Sequence, residues 1–225
     1  MTHSAEDLAA PYTRLPVDGV AITVLTSSLG AETIAASNGF AARLDELQLD
    51  LGEGPIWQAV HERHPVLRPD LADARGDEWP TALTALLAAG AGAVYAFPMS
   101  VGALAVGTVG LYAAVGSTLT SADAPDIEDL AARTARTVLD RVLLRAVVER
   151  PGEWTSGPWS RREVHQAAGM VAAQAGTTPD EAMLLIRAAA FASGQSVLQV
   201  SAQVLERAID LGRASGTDTP GRNRP

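Results

Sequence analysis

Residues 160–212 read SRREVHQAAGMVAAQAGTTPDEAMLLIRAAAFASGQSVLQVSAQVLERAIDLG. Three start signals of one kind punctuate this stretch: Ser160-Arg-Arg-Glu163, Thr178-Pro-Asp-Glu181 and Ser196-Val-Leu-Gln199. Each has the form S/T-x-x-E/Q. In such a capping box the hydroxyl accepts the third helical N–H, and the Glu or Gln side chain returns to the cap N–H. Pro179 suits the first helical position, where its missing N–H costs nothing. Behind the boxes, apolar residues recur at helical spacing. The first stripe is Val164, Ala167, Ala168, Val171, Ala172 and Ala175, and the second is Ala182, Leu185, Ile186 and Ala189. The third is Val197, Val200, Val204 and Ala208. Gly176, Gly194 and Gly212 stand where helix stops are expected. The stretch predicts a compact unit of three helices.

Upstream the period changes. Residues 19–26 and 31–37 read as two strands of a hairpin across a Ser-Leu-Gly turn. Residues 39–49 read as a helix with Phe40, Leu44 and Leu47 on one side; Gly52-Glu-Gly-Pro55 breaks it, and 55–64 is helical again. A short strand follows at 66–70, a helix at 79–89 opened by Trp79-Pro80, and two strong strands at 93–98 and 104–112. Residues 123–149 predict one long helix. Strands and helices in this order predict an α+β domain over 1–150, joined by a linker at 151–159 to the helical unit at 160–212. Residues 213–225, rich in Gly, Thr, Arg and Pro, predict a disordered tail.

Composition narrows the function. There is no cysteine, which removes disulfides, thiolate nucleophiles and Cys-bound zinc. All 17 basic residues are arginine. Residues 1–150 hold 10 arginines against 19 acids, whereas 151–225 hold 7 of each. Non-specific nucleic-acid binding is therefore not expected, and any RNA contact belongs to a local arginine face of the helical unit. The N-terminus lacks a secretory signal and no apolar run spans a bilayer, so the expectation is a cytoplasmic protein without a membrane partner.

The long helix carries Ile127, Ala131, Ala135, Val138 and Val142 on one stripe, widened by Leu139, Leu143, Leu144, Val147 and Val148. A helix apolar over so much of its circumference predicts two packing faces. A homodimer interface is expected at Val138, Val142, Leu144 and Val147.

Taken together, Arg162-x-x-x-Gln166-Ala-Ala-Gly169, Pro179-x-Glu-Ala182, Ile186-Arg187-x-x-Ala190 and Val200-Ser-x-x-Val204 resemble the ANTAR domain, a small three-helix RNA-binding output of bacterial signalling proteins. Upstream, Leu47-Gln48-x-x-Leu-Gly-Glu-Gly-Pro55, Asp70-Leu71, Trp79-Pro80, Ala96-Phe97-Pro98 and Gly107-x-x-Gly-Leu-Tyr112 resemble the GAF domain that often precedes ANTAR in actinobacteria. The resemblance implies a GAF-like antiparallel sheet flanked by helices, followed by the all-α ANTAR-like unit. It implies transcription antitermination: a dimer binds hairpin RNA in a nascent transcript, under control of a domain that senses a small molecule or a partner. Three departures stand out. Ala168 occupies the place of a family lysine expected to face phosphate, Ile56 replaces a frequent cysteine, and only a short segment precedes Pro11.

Arg162, Gln166, Gly169 and Arg187 are the candidate RNA-binding residues. Arginine forks to phosphate or guanine and glutamine pairs with adenine; glycine lets an RNA backbone come close. His165 reads as an ordinary surface histidine. His61 and His64 have metal-ligand spacing without a third ligand, and Asp70, Asp73, Asp77 and Glu78 read as a solvent-facing acidic loop. No metal, cofactor or catalytic residue is expected, and no GAF ligand-binding residue is assigned. Catalytic motifs such as the nucleophile elbow and the phosphate loop are missing, so an enzyme is not expected. Two alternatives remain open: a protein–protein regulator whose degenerate ANTAR unit binds no RNA, and a ligand-binding protein.

Overall fold

The computed structural model of the chain describes residues 8–26, 30–74, 77–117, 119–148 and 161–212, with the side chains of 26, 142 and 144–148 outside that description. The chain divides into two compact units, Met1–Ser160 and Arg161–Pro225. The expected linker at 151–159 and tail at 213–225 lie outside the described residues, as does the turn at 27–29.

The N-terminal unit is built on a five-stranded antiparallel sheet. Its strands are β1 (Gly19–Thr26), β2 (Gly30–Ala36), β3 (Val66–Arg68), β4 (Ala93–Val101) and β5 (Leu104–Ala113), in the order β2-β1-β5-β4-β3. Both faces are buried, which explains why β4 and β5 read as nearly continuous apolar runs. Alternation sends Val20, Ile22 and Val24 of β1 to one core and Ala21 and Leu25 to the other. On the first face lies α4 (Ala124–Val148), through Ile127, Ala131, Ala135 and Val138. Leu8 and Tyr12 of the short leading segment join that core, and the Tyr12 hydroxyl meets Thr134 Oγ1 at 2.7 Å. Leu8, ahead of Pro11, thus packs in the core beneath the sheet. On the second face pack α1 (Gly39–Leu51), α2 (Pro55–Glu62) and α3 (Pro80–Ala88).

Gly52-Glu-Gly-Pro55 joins three helices. Gly52 ends α1 in the left-handed region, Pro55 opens α2, and Glu53 reaches the start of α3. Gly54 has φ +125° beside the Gln48 side chain, where an added Cβ would stand 2.8 Å from Gln48 Oε1, so only glycine fits. The acidic loop is partly structural. Asp70 Oδ1 accepts the Ala72 N–H, and Glu78 pairs with Arg68 at 2.6 Å. The Arg68 guanidinium also lies 5.4 Å from the centroid of the buried Trp79 ring.

The C-terminal unit comprises α5 (Arg162–Ala175), α6 (Pro179–Ser193) and α7 (Val197–Leu205) around a core of Val164, Ala167, Val171, Ile186, Val200 and Val204. Two capping boxes form as expected. Thr178 Oγ1 accepts the Glu181 N–H while Glu181 Oε2 accepts the Thr178 N–H, and Ser196 and Gln199 repeat the exchange. Gly176 and Gly194 are left-handed caps.

The first expected box rests on Ser160, which lies outside the described residues; α5 begins at Arg162, behind Arg161. One expectation is corrected: Gly212 does not stop the third helix. That helix ends at Leu205, Arg207 turns left-handed, the Ala208 N–H bonds to the Gln203 carbonyl, and Ala208 is exposed. Gly212 instead packs on the end of α5, where an added Cβ would stand 2.8 Å from Gln174 Cβ.

Candidate nucleic-acid interface

Arg162, Gln166 and Gly169 fall four and three residues apart on α5, so they form one stripe about 10 Å long. All three are exposed, while Val164, Ala167, Ala168, Val171 and Ala172 are buried. An added Cβ at Gly169 would find no atom within 4 Å. Within the described chain nothing packs there, so this glycine does not serve helix packing in its own unit. It leaves the surface flat beside an arginine and a glutamine, which suits the approach of a phosphate backbone.

Arg187 stands apart from this stripe, on α6. It is half-buried, one residue beyond the buried Ile186. His165 is also half-buried, not on the open surface as the sequence suggested. Burial, with the nearby Arg161 charge, lowers its pKa below the ordinary 6.5. Its Nε2 atom is enclosed without a hydrogen-bond partner among the described residues.

Ala168 stands where the resemblance expects a lysine. Only 4 % exposed, it lies within the three-helix core. The structure also exposes groups that the stripe reading passed over. Arg161 is drawn inside, whereas Leu184 and Phe191 of α6 stand 61 % and 77 % exposed. Neither Leu184 nor Phe191 belongs to the apolar stripe of α6, and that was the signal available in the sequence.

The expected dimer residues divide. Val138 is buried in the core under the sheet and is not free for a partner. The side chains of Val142, Leu144 and Val147 lie outside the described residues. Leu143, on the same helix, is 55 % exposed.

The N-terminal unit has a polar centre on the α1 side of its sheet. The fully buried Asp45 accepts from Thr23 Oγ1 and Thr33 Oγ1 at 2.5 Å each and from the Tyr112 hydroxyl at 2.9 Å. Gln48 Nε2 donates to the Tyr112 oxygen at 3.0 Å, and Gln48 Oε1 accepts the Ile56 N–H at 3.1 Å. Burial and the adjacent carboxylate push the Tyr112 pKa well above its ordinary value, so the phenol stays protonated and donates. The network ties α1 and α2 to β1, β2 and β5.

Residues 159–205 match the ANTAR domain family. No curated protein matches the chain. Among solved structures, the chain resembles a domain from Sinorhizobium meliloti 1021 assigned as part of a two-component sensor histidine kinase. Identity is 16 %, the TM-score 0.51, and the match covers 65 % of this chain and 95 % of that one. It also resembles a GAF domain/HD domain protein from Geobacter sulfurreducens (15 %, TM-score 0.49, covering 67 % and 99 %). A further resemblance is to the second GAF domain of DevS from Mycobacterium smegmatis (15 %, TM-score 0.44, covering 62 % and 94 %). Identities this low speak to fold alone. The chain is α+β, an antiparallel sheet flanked by helices followed by a helical region that matches the ANTAR domain family. Among the described residues no single helix is long and apolar enough to cross a membrane; α6 and α7 pass that test only as a pair bent by 112°.

Proposed function

We propose that this chain is a signal-responsive transcription antitermination regulator of the cytoplasm. Its three-helix unit binds hairpin RNA in nascent transcripts, and its N-terminal unit senses a small molecule or a partner and is not catalytic. The observation that carries the reading is the exposed stripe Arg162–Gln166–Gly169 within the ANTAR match. Arg162 takes a phosphate, Gln166 reaches a base edge or sugar, and Gly169 admits the backbone, while Arg187 contributes from α6. The protein acts as a homodimer joined through the second half of α4, which brings two such stripes to paired hairpins.

A second reading has its own support. Residues 161–212 hold 4 arginines against 5 acids, a poor balance for a polyanion partner. On that reading the unit docks a protein. Titrating the full chain with hairpin RNA at several salt concentrations separates the two. RNA binding requires an affinity that falls steeply with salt, and Arg162→Ala should lower the slope of log K against log salt by about one. Absence of hairpin binding at low salt would leave the protein-partner reading.

A further inference from the structure

An Asn-Gly pair, Asn38-Gly39, stands where β2 hands over to α1. Asn38 is the N-cap of α1. Its Oδ1 accepts the Ala41 N–H at 2.9 Å, and its Nδ2 donates to the Asp18 carbonyl at 2.7 Å. Both residues of the pair are exposed. Two glycines meet this cap, and they differ. Gly19, which follows Asp18, is fixed by packing: an added Cβ would stand 2.8 Å from Ala41 Cβ and from Asn38 Oδ1. At Gly39 an added Cβ would find no atom within 4 Å, and the residue already belongs to the helix. Glycine is among the poorest helix formers, so neither space nor backbone calls for it there. What glycine does supply, after an asparagine, is an unhindered backbone nitrogen beside a side-chain amide. As the first helical residue, Gly39 also has no intrahelical acceptor for its N–H.

We infer that Asn38 is a modification site, at which the chain deamidates itself, and that the α1 cap sets the rate. The Gly39 nitrogen, giving its proton to hydroxide, bonds to Asn38 Cγ. The Cγ–Nδ2 bond breaks and ammonia leaves, so residues 38 and 39 share a five-membered succinimide. Water then opens the ring at either carbonyl. One opening gives aspartate; the other gives isoaspartate, with the main chain rerouted through Cβ. The net change is a water taken up and an ammonia released, with no oxidation or reduction. Ring closure needs Cβ and the Gly39 nitrogen close to eclipsed about the Cα–C bond. At ψ 173° the cap holds them staggered, and hydrogen bonds tie both ends of the amide. The reaction therefore waits for the first turn of α1 to open. The products differ in consequence. Aspartate keeps the cap acceptor and loses only the bond to the Asp18 carbonyl. Isoaspartate lengthens the main chain where Gly19 already abuts Ala41, at the head of the helix that carries Asp45 and Gln48 into the buried network. It loosens α1 from the sheet.

The test incubates the full chain at mildly alkaline pH, folded in buffer and unfolded in urea. Peptide mapping and ammonia release follow Asn38, and methyltransferase labelling tells isoaspartate from aspartate. The unfolded chain should convert Asn38. The folded chain should convert the same residue about tenfold to a thousandfold more slowly, since local opening must come first. Gly39→Ala should slow the unfolded chain about tenfold or more, because its methyl hinders the attacking nitrogen, and should melt at or above the parent. The purified isoaspartate form should unfold at a lower urea midpoint than the parent, with Asn38→Asp close to the parent. No conversion of Asn38 in urea, or a conversion that Gly39→Ala leaves unchanged, would overturn the site. Equal rates in the folded and unfolded chains would overturn the gating by the cap. A folded chain slowed beyond the stated range would react only through global unfolding, which overturns the gating as well. A Gly39→Ala chain that melts lower would give Gly39 a structural reason and remove the argument for it. An isoaspartate form with the parent's midpoint would refute the loosening of α1.

Discussion

One oxygen of Glu53 holds the start of a helix 28 residues away: Glu53 Oε1 accepts the Thr81 N–H at 2.6 Å. It accepts the Ala82 N–H at the same distance. The α3 helix needs this, because its own N-cap is Trp79, which has no side-chain acceptor to offer. A carboxylate at that end also meets the positive pole of the helix. Glu53→Ala should destabilise the N-terminal unit by about 1–2 kcal/mol, the usual range for a lost cap. Urea denaturation followed by circular dichroism would measure it, and an unchanged midpoint would show that the bond contributes nothing.

Tyr112 links Asp45 to Gln48 beneath the sheet. Tyr112→Phe keeps the ring and deletes both bonds, leaving buried polar groups short of a partner. A loss of about 1–3 kcal/mol is expected, and Asp45→Ala should cost more because it strands three hydroxyls at once. Denaturant midpoints for the two variants give the order; a Tyr112→Phe protein as stable as the parent would contradict it.

His165 makes the stability of the three-helix unit depend on pH. Its pKa is held below the ordinary 6.5 in the folded chain by burial and by Arg161. The unfolded chain therefore binds a proton that the folded chain refuses. This contribution is complete above about pH 6.5 and is lost as pH falls through the folded pKa. An NMR titration should place the His165 midpoint below 6.5 and return it to the ordinary value in urea. His165→Gln should flatten the pH dependence between about 7 and 5.

Ala168→Lys tests which way this position faces. Because Ala168 is buried in the three-helix core, a lysine must drive its stem through packed side chains to reach water. The variant should lose about 1–3 kcal/mol, as overpacked cores do, without binding hairpin RNA more tightly. Thermal melts and RNA titration check both halves. A stable variant with tighter RNA binding would mean that the side chain faces outward after all.

Leu143→Asp addresses the dimer. The residue is exposed on α4, so the change should leave the fold of a single chain intact while placing a charge in the proposed interface. Analytical ultracentrifugation should show a dimer for the parent and a monomer for the variant. A parent chain that sediments as a monomer at high concentration removes the α4 interface from the proposal.

Local rules carried much of this fold. The boxes at Thr178 and Ser196, the stops at Gly176 and Gly194, and the strands at 19–26 and 104–112 depend on bonds and periods within a few residues, so residue type and spacing suffice to place them. Spacing on α5 likewise put Arg162, Gln166 and Gly169 on one face. The orientation of single side chains against other elements was not legible in this way. Ala168 inside the core, His165 half-enclosed, Val138 under the sheet and Phe191 outside all depend on how one helix crosses the next. Glu53 on α3 and Asp45 among Thr23, Thr33 and Tyr112 join residues 12 to 67 positions apart, and packing alone brings them together. Hydrogen bonds of short reach are written in the order of residues; burial and long-range pairing arise only when several elements close on a shared core.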